Sequence, residues 1–270
     1  MNELALFAGA GGGILGGQLL GWRTVCAVER DAYAAQVLAQ RQNDRCIETF
    51  PIWSDVCSFD GNPWQGIVDI ISGGFPCQDI SIAGAGKGID GERSGLWREM
   101  ARIIGEVRPQ FVLVENSPML IRRGLAVVIG DLTRMGYDTE WCRISASDCG
   151  APHQRDRFWL LAHTNSAWKL QQAKARNEFG HRASYRRETL ADSDSKHGER
   201  VKCGNAHAEG REIKSKRPTR SQNFSRRRWP DEPAVGRVAH GVAHRVDQLR
   251  ARGNGQVPRV AAAAFDLLSN

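Results

Sequence analysis

The hydrophobic positions of residues 4–163 alternate between short apolar runs and longer amphipathic stretches. Continuous apolar runs of roughly four to eight residues are typical of strands that are covered on both faces. Candidate strands, most of them such runs, lie at 4–7, 24–28, 67–72, 111–115, 138–144 and 158–162. Helical spacing of apolar residues occupies 31–42, 94–107 and 118–135. The alternation predicts an α/β fold with a doubly wound, mostly parallel sheet.

Beyond residue 163 the apolar residues become sparse. Residues 165–230 hold 17 Lys and Arg against 7 Asp and Glu, whereas the rest of the chain holds 20 against 23. A neutral body with one basic segment favours a polyanionic partner, although a solvated basic linker has the same composition. Helical spacing returns at 257–268, and we expect this helix to pack against the first domain. The expected parts are a first domain over 1–164, a basic segment over 165–232 and a C-terminal segment over 233–270.

The composition favours a globular protein over a membrane or disulfide-rich one. Apolar residues make up 41% of the 270 positions, which is enough for a core. No apolar run approaches the ~20 residues needed to cross a bilayer, and no signal-peptide pattern begins the chain. The seven cysteines include no Cys-x-x-Cys pair, which argues against a disulfide framework and a zinc site. We expect reduced thiols, no bound metal and a cytoplasmic location.

A glycine-rich turn follows the first predicted strand and reads Phe7-Ala8-Gly9-Ala10-Gly11-Gly12-Gly13. Such a turn lets the backbone approach a ligand and directs helix N-terminal amides at its charged end. Glu29 closes the second strand, where a carboxylate can accept hydrogen bonds from ribose hydroxyls. These features predict a site for an adenosine-containing cofactor, NAD or S-adenosylmethionine. A tight turn without a ligand is the alternative.

A second loop follows the predicted strand at 67–72 and reads Ser72-Gly73-Gly74-Phe75-Pro76-Cys77-Gln78. Ligands of open α/β sheets bind at the carboxyl ends of strands. Most lone cysteines are small core residues, but the glycines and the proline favour a loop position for Cys77. Cys77 is therefore a candidate for chemistry rather than for packing.

The segment 74–78, Gly-Phe-Pro-Cys-Gln, resembles the catalytic loop of the DNA cytosine-5 methyltransferase family. Further segments are similar to the family's motifs in the same order: 7–12 to the first cofactor motif, Glu29 to the ribose-binding acid, 55–56 to the adenine-contacting pair, 115–116 to Glu-Asn, 152–157 to Pro-Gln-x-Arg-x-Arg and 253–257 to the Gly-Asn motif. Three places depart from the usual pattern: Ser117 for valine, His153 for glutamine, and Gly255-Gln256 for a small residue and valine. Only the basic segment is unmatched.

The resemblance implies transfer of a methyl group from S-adenosylmethionine to carbon 5 of cytosine in DNA, with S-adenosylhomocysteine as a product. Because carbon 5 is a poor nucleophile, Cys77 would first add to ring carbon 6. Glu115 would hydrogen-bond ring nitrogen 3 through a proton that a raised pKa retains. Arg157 would hold the exocyclic oxygen, and Arg155 a backbone phosphate or Glu115. Without the resemblance, Glu115 is better explained as a surface or salt-bridged acid at a strand end, and Arg155 and Arg157 as solvated groups at a strand start.

The resemblance also implies two sets of contacts. The expected cofactor contacts are Phe7, Gly9, Ala10, Gly12, Glu29, Arg30, Asp55, Val56, Pro76, Leu96 and Asn254. The expected DNA contacts are Ser81, Lys87, Arg93, Arg186, Arg187, Arg226, Arg227 and Arg228. The first three lie in a glycine-rich loop over 81–95, which we expect to close over a cytosine rotated out of the duplex. The others lie in the basic segment, where the family carries its target-recognition region.

Three other functions stay open at this point. A methyltransferase of the same fold that acts on cytosine in transfer RNA differs only in its substrate. An NAD-dependent oxidoreductase would explain the spacing of Gly11, Gly13 and Gly16, but it gives Cys77 and Glu115 no joint purpose. A DNA-binding protein that has lost catalysis would explain the departures from the motifs. The favoured expectation is a Rossmann-like, S-adenosylmethionine-dependent methyltransferase of bacterial or phage origin, monomeric, with double-stranded DNA as its partner and no membrane association.

Overall fold

The computed structural model describes residues 1–76, 95–164, 204–205 and 245–269. The strands of this part are β1 (Asn2–Leu6), β2 (Arg23–Val28), β3 (Ile52–Trp53), β4 (Ile70–Gly73), β5 (Phe111–Asn116), β6 (Asp138–Ser145), β7 (Asp156–His163) and β8 (Gly204–Asn205). Its α-helices are α1 (Gly12–Leu19), α2 (Ala32–Asn43), α3 (Leu96–Val107), α4 (Leu120–Arg123), α5 (Leu125–Arg134), α6 (Arg245–Asn254) and α7 (Pro258–Leu268).

The strands form one sheet with the order β3-β2-β1-β4-β5-β7-β6-β8. The first five strands along the chain pair in parallel, whereas β7 is antiparallel to β5 and β6. The predicted α/β fold with a mostly parallel sheet is confirmed. The chain direction across the sheet reverses between β1 and β4, and ligands of open α/β sheets bind at such a switch point.

Helices cover both faces of the sheet because apolar side chains alternate between the faces along each strand. One face packs against α3 and α5 around the fully buried Trp97. The other face packs against α7, where the ring of Phe265 meets Trp22 at a centroid distance of 4.8 Å and Phe111 at 5.9 Å. Both contacts are edge-on, the arrangement that aromatic pairs prefer.

A buried carboxyl joins three strands beneath α1. Glu3 of β1 is fully buried and accepts hydrogen bonds from Thr24 Oγ1 at 2.7 Å and from Ser72 Oγ at 2.6 Å. Burial raises the pKa of this carboxyl, and the two hydroxyls oppose the rise. The hydrophobic pattern of the first strand did not indicate that Glu3 is buried or that two hydroxyl groups donate hydrogen bonds to it.

Two predicted elements differ from the observed ones for local reasons. The strand predicted to begin at Ile67 begins at Ile70, because Ile67 follows Gly66 at φ 77° and is 49% exposed in a turn. The helix predicted over 118–135 is divided at Gly124, whose φ of −165° is not helical. The two-residue strands and the polar helix α6 were not predicted from the hydrophobic pattern.

The described residues hold neither a membrane-spanning helix nor a metal cluster. None of the described helices is both long and apolar enough to cross a membrane. No three His, Cys, Asp or Glu side chains within these ranges are placed to bind one metal ion. The described cysteines are free thiols: Cys26, Cys46, Cys57, Cys142 and Cys149.

The close approach of α7 to α1 depends on a glycine. A Cβ atom at Gly16 would lie 2.8 Å from Ala261 Cβ and 2.9 Å from the Pro258 carbonyl oxygen, closer than ordinary contact. The glycine at this position therefore serves helix packing, which removes one member of the dinucleotide-like spacing from the argument for NAD. The contact between α1 and α7 also fixes the position of the segment that precedes α7, which lies against the glycine-rich turn at Gly12.

We predict that Gly16→Ala lowers the free energy of unfolding by about 1–3 kcal/mol, because the added methyl group must push α7 away. Gly130→Ala is the matched control, since it also lies in a helix but no described atom lies within 4 Å of its added Cβ. We expect it to raise stability by about 0.5–1 kcal/mol through helix propensity. Urea unfolding followed by tryptophan fluorescence checks both, and a stable Gly16→Ala variant would contradict the packing argument.

Candidate active site

A cavity of about 750 Å³ opens at the carboxyl ends of the central parallel strands. Nine of the eleven predicted cofactor contacts line it: Phe7, Gly9, Glu29, Arg30, Asp55, Val56, Pro76, Leu96 and Asn254. Glu115 and Arg157 line it as well. Residues separated by most of the chain are thus brought to one cleft at the switch point of the sheet.

Ala10 and Gly12 are the two predicted cofactor contacts that do not line the cavity. For Gly12 the reason is visible, because a Cβ atom there would collide with the backbone carbonyl of Gln256. Its missing side chain makes room for the C-terminal segment rather than for a ligand. The structure offers no comparable account of Ala10.

A carboxyl group fixes the glycine-rich turn through a hydrogen bond. The Gly9 N–H donates to Glu29 Oε2 at 2.6 Å, and the Asp31 N–H donates to Oε1 at 2.7 Å. Burial raises the pKa of Glu29, while these two backbone donors oppose the rise. Gly9 itself has φ 55°, which favours glycine, and no described atom lies within 4 Å of its absent Cβ. Glu29 therefore shapes the turn in addition to its predicted contact with ribose.

Asp55 begins a short 3-10 turn on the cavity wall. Its Oδ1 accepts the Cys57 N–H at 3.0 Å. This backbone hydrogen bond lowers the pKa of Asp55, with a smaller contribution from the charge of Arg30. Asp55 thus presents a carboxylate at the cavity, next to the buried Val56.

Glu115 and Arg157 form an ion pair at the inner end of the cavity. Glu115 is 8% exposed at the end of β5, opposite Trp159 of β7. Arg157 lies two residues before Trp159 and therefore on the same face of the sheet. Its Nε is 2.7 Å from Glu115 Oε1. Burial raises the pKa of Glu115, and the charges of Arg157 and Arg155 oppose the rise.

Arg155 has partners that the sequence did not indicate. Its Nη2 donates to the carbonyl oxygens of Gly253 and Gly255, both at 2.7 Å. Burial lowers the pKa of this guanidinium, and the charge of Arg157 lowers it further. The expected partners were a phosphate or Glu115, but in the structure Arg157 makes the ion pair with Glu115. Arg155 instead fastens the segment before α7 to the start of β7.

The root of the Cys77 loop is built against Glu115 and Asn116. Asn116 is 2% exposed, and its Nδ2 donates to the Phe75 carbonyl oxygen at 3.1 Å. A Cβ atom at Gly74 would lie 2.6 Å from Glu115 Oε2, so only glycine fits there. The aromatic ring of Phe75 packs against that of Trp97. These contacts fix the chain up to Pro76, the last described residue before the loop.

Cys77 and the predicted DNA contacts lie outside the described residues. The predictions concerned are Cys77, Ser81, Lys87, Arg93, Arg186, Arg187, Arg226, Arg227 and Arg228. The expected lid over 81–95 falls almost wholly in the same gap, and the basic segment is described only at 204–205. These assignments stay predictions.

Sequence reasoning missed several residues of the site, three of them in the C-terminal segment. Asp247 and Ala251 of α6 line the cavity, but α6 is too polar for its pattern to place it against anything. Gln256 was noted only as a departure from a motif, although its side-chain amide donates a hydrogen bond to Glu115. The presence of Gln256 in place of the usual motif residue was the only signal in the sequence, and it did not indicate that Glu115 is its partner.

The fold and the position of the cavity define a Rossmann-like protein of the methyltransferase class. The crystal structure of a prophage-encoded DNA modification methyltransferase from E. coli is similar, with a TM-score of 0.51 and 26% identity over 62% of this chain and 47% of that one. The S. pombe Dnmt2 methyltransferase shares the fold at a TM-score of 0.51 and 20% identity, over 61% of this chain and 51% of that one. The chain belongs to the C-5 cytosine-specific DNA methylase family, whose model matches residues 1–257.

Curated relatives are similar over part of the chain. The type II methyltransferase M.CviJI of Paramecium bursaria Chlorella virus IL3A is 36% identical over 163 residues, and M.Eco47II of Escherichia coli is 33% identical over 171 residues. Each match covers 60% of this chain, but 42% and 39% of the respective relative. The matched region is thus less than half the length of these relatives.

We predict that Arg155→Met speeds amide hydrogen exchange in residues 253–257 about tenfold, because two charge-assisted hydrogen bonds to that segment are lost. Arg143→Met is the control. It removes an arginine of the neighbouring strand that forms an ion pair on the surface, with Asp156 Oδ2 at 3.4 Å. Exchange measured by mass spectrometry should leave 253–257 unchanged in the control, and equal exchange in both variants would refute the fastening role.

Proposed function

We propose that this chain transfers a methyl group from S-adenosylmethionine to carbon 5 of cytosine in double-stranded DNA, at a short specific sequence. The observation that carries the proposal is the buried Glu115 carboxyl, 2.7 Å from the Arg157 guanidinium, in the wall of the cavity that also contains the glycine-rich turn. Family membership and the type II methyltransferases among the relatives support DNA as the substrate. We therefore assign this chain the same kind of DNA modification activity as these type II methyltransferases.

The cavity fits S-adenosylmethionine in size and in chemistry. Its volume of about 750 Å³ lies within the usual range of small-molecule sites. Glu29 and Asp55 offer carboxylates for hydroxyl and amino groups, and Phe7, Val56 and Leu96 offer apolar surface. The bound cofactor would supply a methyl group on a positively charged sulfur.

The residues of this chain would activate the base. The Cys77 thiolate forms a bond to ring carbon 6, and the electron pair of the double bond between carbons 5 and 6 moves into the ring. Glu115 supplies a proton to ring nitrogen 3, and Arg157 stabilises charge on the exocyclic oxygen. Carbon 5 would then accept the methyl group. Loss of the carbon 5 proton to water would expel the Cys77 thiolate, and ring nitrogen 3 would return its proton to Glu115. The raised pKa of Glu115 supports the role of proton donor.

The three parts of the chain take separate tasks in this proposal. Residues 1–164 bind the cofactor and perform catalysis, and the basic segment 165–232 contacts phosphates and base edges of the target. Residues 233–270 complete the catalytic domain. The position of Asp247 and Ala251 in the cavity wall supports the last assignment, as does the packing of α7 on α1.

We predict that Cys77→Ala abolishes methylation, because the ring can no longer be activated. The chain is expressed in cells that lack cytosine methylation, and their DNA is analysed by bisulfite sequencing, which also gives the target sequence. Cys46→Ala, which changes an exposed free cysteine, should methylate normally. Retained methylation in the Cys77 variant would overturn the mechanism.

The same variants test the covalent step and the nature of the substrate. Duplex DNA with 5-fluorocytosine at the target cannot lose a proton from carbon 5, so it should form a stable covalent complex with wild type and with Cys46→Ala only. Purified protein is also offered transfer RNA. Methylation of RNA without methylation of DNA would replace the proposal by an RNA methyltransferase, and methylation of neither would indicate a protein without catalytic activity.

We predict that Glu29→Ala weakens the binding of S-adenosylmethionine about tenfold to a hundredfold. The variant removes the acceptor of the Gly9 and Asp31 amides as well as the proposed acceptor for ribose hydroxyls. Isothermal titration calorimetry measures the Kd. Glu48→Ala is the control, since that glutamate has a 69% exposed side chain and forms an ion pair with the similarly exposed Arg23. Unchanged affinity in Glu29→Ala would remove Glu29 from the cofactor site.

A further inference from the structure

The side chain of Gln256 lies at the meeting point of three functional elements. A Cβ atom at Gly13 of α1 would lie 2.5 Å from Gln256 Oε1. A Cβ atom at Gly74 would lie 3.2 Å from Gln256 Nε2 and 2.6 Å from Glu115 Oε2. The carboxamide therefore fills the space between the glycine-rich turn, the root of the Cys77 loop and Glu115.

Gln256 is held in this position from both sides of the chain. The carbonyl oxygens of Gly253 and Gly255, just before it, accept hydrogen bonds from Arg155. Its own backbone carbonyl lies against Gly12, at the start of α1. Pro258 and Ala261, just after it, pack against Gly16. Glycines at 12, 13, 16 and 74 leave room for this segment, so four of the chain's glycines serve the placement of one side chain and the helix that follows it.

The contact with Glu115 is a hydrogen bond rather than packing alone. The Gln256 side-chain amide donates to the Glu115 carboxyl. The charged groups that act on Glu115 from the elements around it are Arg157, through an ion pair at 2.7 Å, and Arg155, through its charge alone. Both belong to the segment that begins β7. Gln256 is thus the partner of Glu115 that comes from the C-terminal segment.

We propose that Gln256 is a positioning residue for methyl transfer: its amide fixes the orientation of the Glu115 carboxyl and links that orientation to the glycine-rich turn. The proposal rests on the function proposed above and adds a residue to it. An amide donor stabilises the ionised carboxylate, so it lowers the pKa of Glu115 and offsets part of the rise that burial causes. A side chain that only filled space would have neither effect.

The first test does not require catalysis. Gln256→Met keeps the length of the side chain and removes the donor, and Gln256→Leu removes the donor with a different shape. Carbon-13 NMR follows the titration of the Glu115 carboxyl, which is assigned by its absence from Glu115→Gln. We expect the pKa of Glu115 to rise by about 1 in both Gln256 variants. An unchanged titration would overturn the proposal.

Gln40→Met is the matched control for the titration. Gln40 Nε2 donates to Asp44 Oδ1 at 2.8 Å on the exposed side of α2, so this variant also removes an amide–carboxylate hydrogen bond. The pKa of Glu115 should match wild type there. A shift of the same size in Gln40→Met would show that the measurement reports general loosening of the protein, and the proposal would fall.

The second test measures single-turnover methyl transfer to duplex DNA as a function of pH. We expect Gln256→Met to slow transfer about tenfold at saturating cofactor, because Glu115 is no longer held toward the base. The basic limb of the profile should move to higher pH, since a carboxyl with a higher pKa keeps its proton longer. The Kd for S-adenosylmethionine should stay near wild type.

The two tests separate the proposals. If wild type transfers no methyl group, the proposed function fails, while the titration still decides whether Gln256 acts on Glu115. Gln256→Met could instead lose cofactor affinity while the rate of methyl transfer at saturating cofactor and the basic limb of its pH profile stay as in wild type. In that case Gln256 only supports the glycine-rich turn, and the positioning role is refuted.

Discussion

The site depends on keeping a carboxyl group away from water beside a guanidinium. Removing Glu115 from water disfavours its charge, and the nearby Arg157 returns part of that cost. Removing Arg157 would leave the buried Glu115 carboxyl without its ion-pair partner, and loss of one partner of a buried pair is strongly destabilising in proteins. The position of this ion pair constrains the residues around it. Glycine is required at position 74, and the loop before α7 must lie close enough for Gln256 to donate a hydrogen bond to Glu115.

Long-range contacts assemble this environment from distant parts of the chain. Arg155 and Gly255 are 100 positions apart and are joined by a 2.7 Å hydrogen bond. The packing of α7 against Gly16 sets the same segment from its other end. Because the cofactor turn begins α1 and Gln256 precedes α7, the helix contact and the site form one structural unit. A short series of direct contacts, through Gln256, thus connects the packing of α7 to Glu115.

The sequence predicted the sheet well because most buried strands are continuous apolar runs, and that signal is local. It also assigned Glu115 and Arg157 to one site through a motif resemblance, although it named Arg155 rather than Arg157 as a possible partner of Glu115. It could not predict the partners of Arg155, which are backbone carbonyls that every residue possesses. Nor could it assign Gln256, whose role depends on glycines at 13 and 74 that lie far from it in the chain. Glu3 was missed for a similar reason, since its donors Thr24 and Ser72 come from two other strands.

The hydrogen-bond donors of Arg157 show how one guanidinium can bind both the Glu115 carboxyl and the target cytosine. Its Nε faces Glu115 at 2.7 Å, and its Nη1 donates to the Asp156 carbonyl oxygen at 3.0 Å. Among the described residues, no protein atom accepts a hydrogen bond from Nη2. In the proposed reaction we therefore assign Nη2 as the donor to the exocyclic oxygen of cytosine, while Nε keeps the carboxyl in place. The rigid fork of arginine allows this division because its donors lie on three separate nitrogens in one plane, whereas lysine presents all of its donors from a single nitrogen.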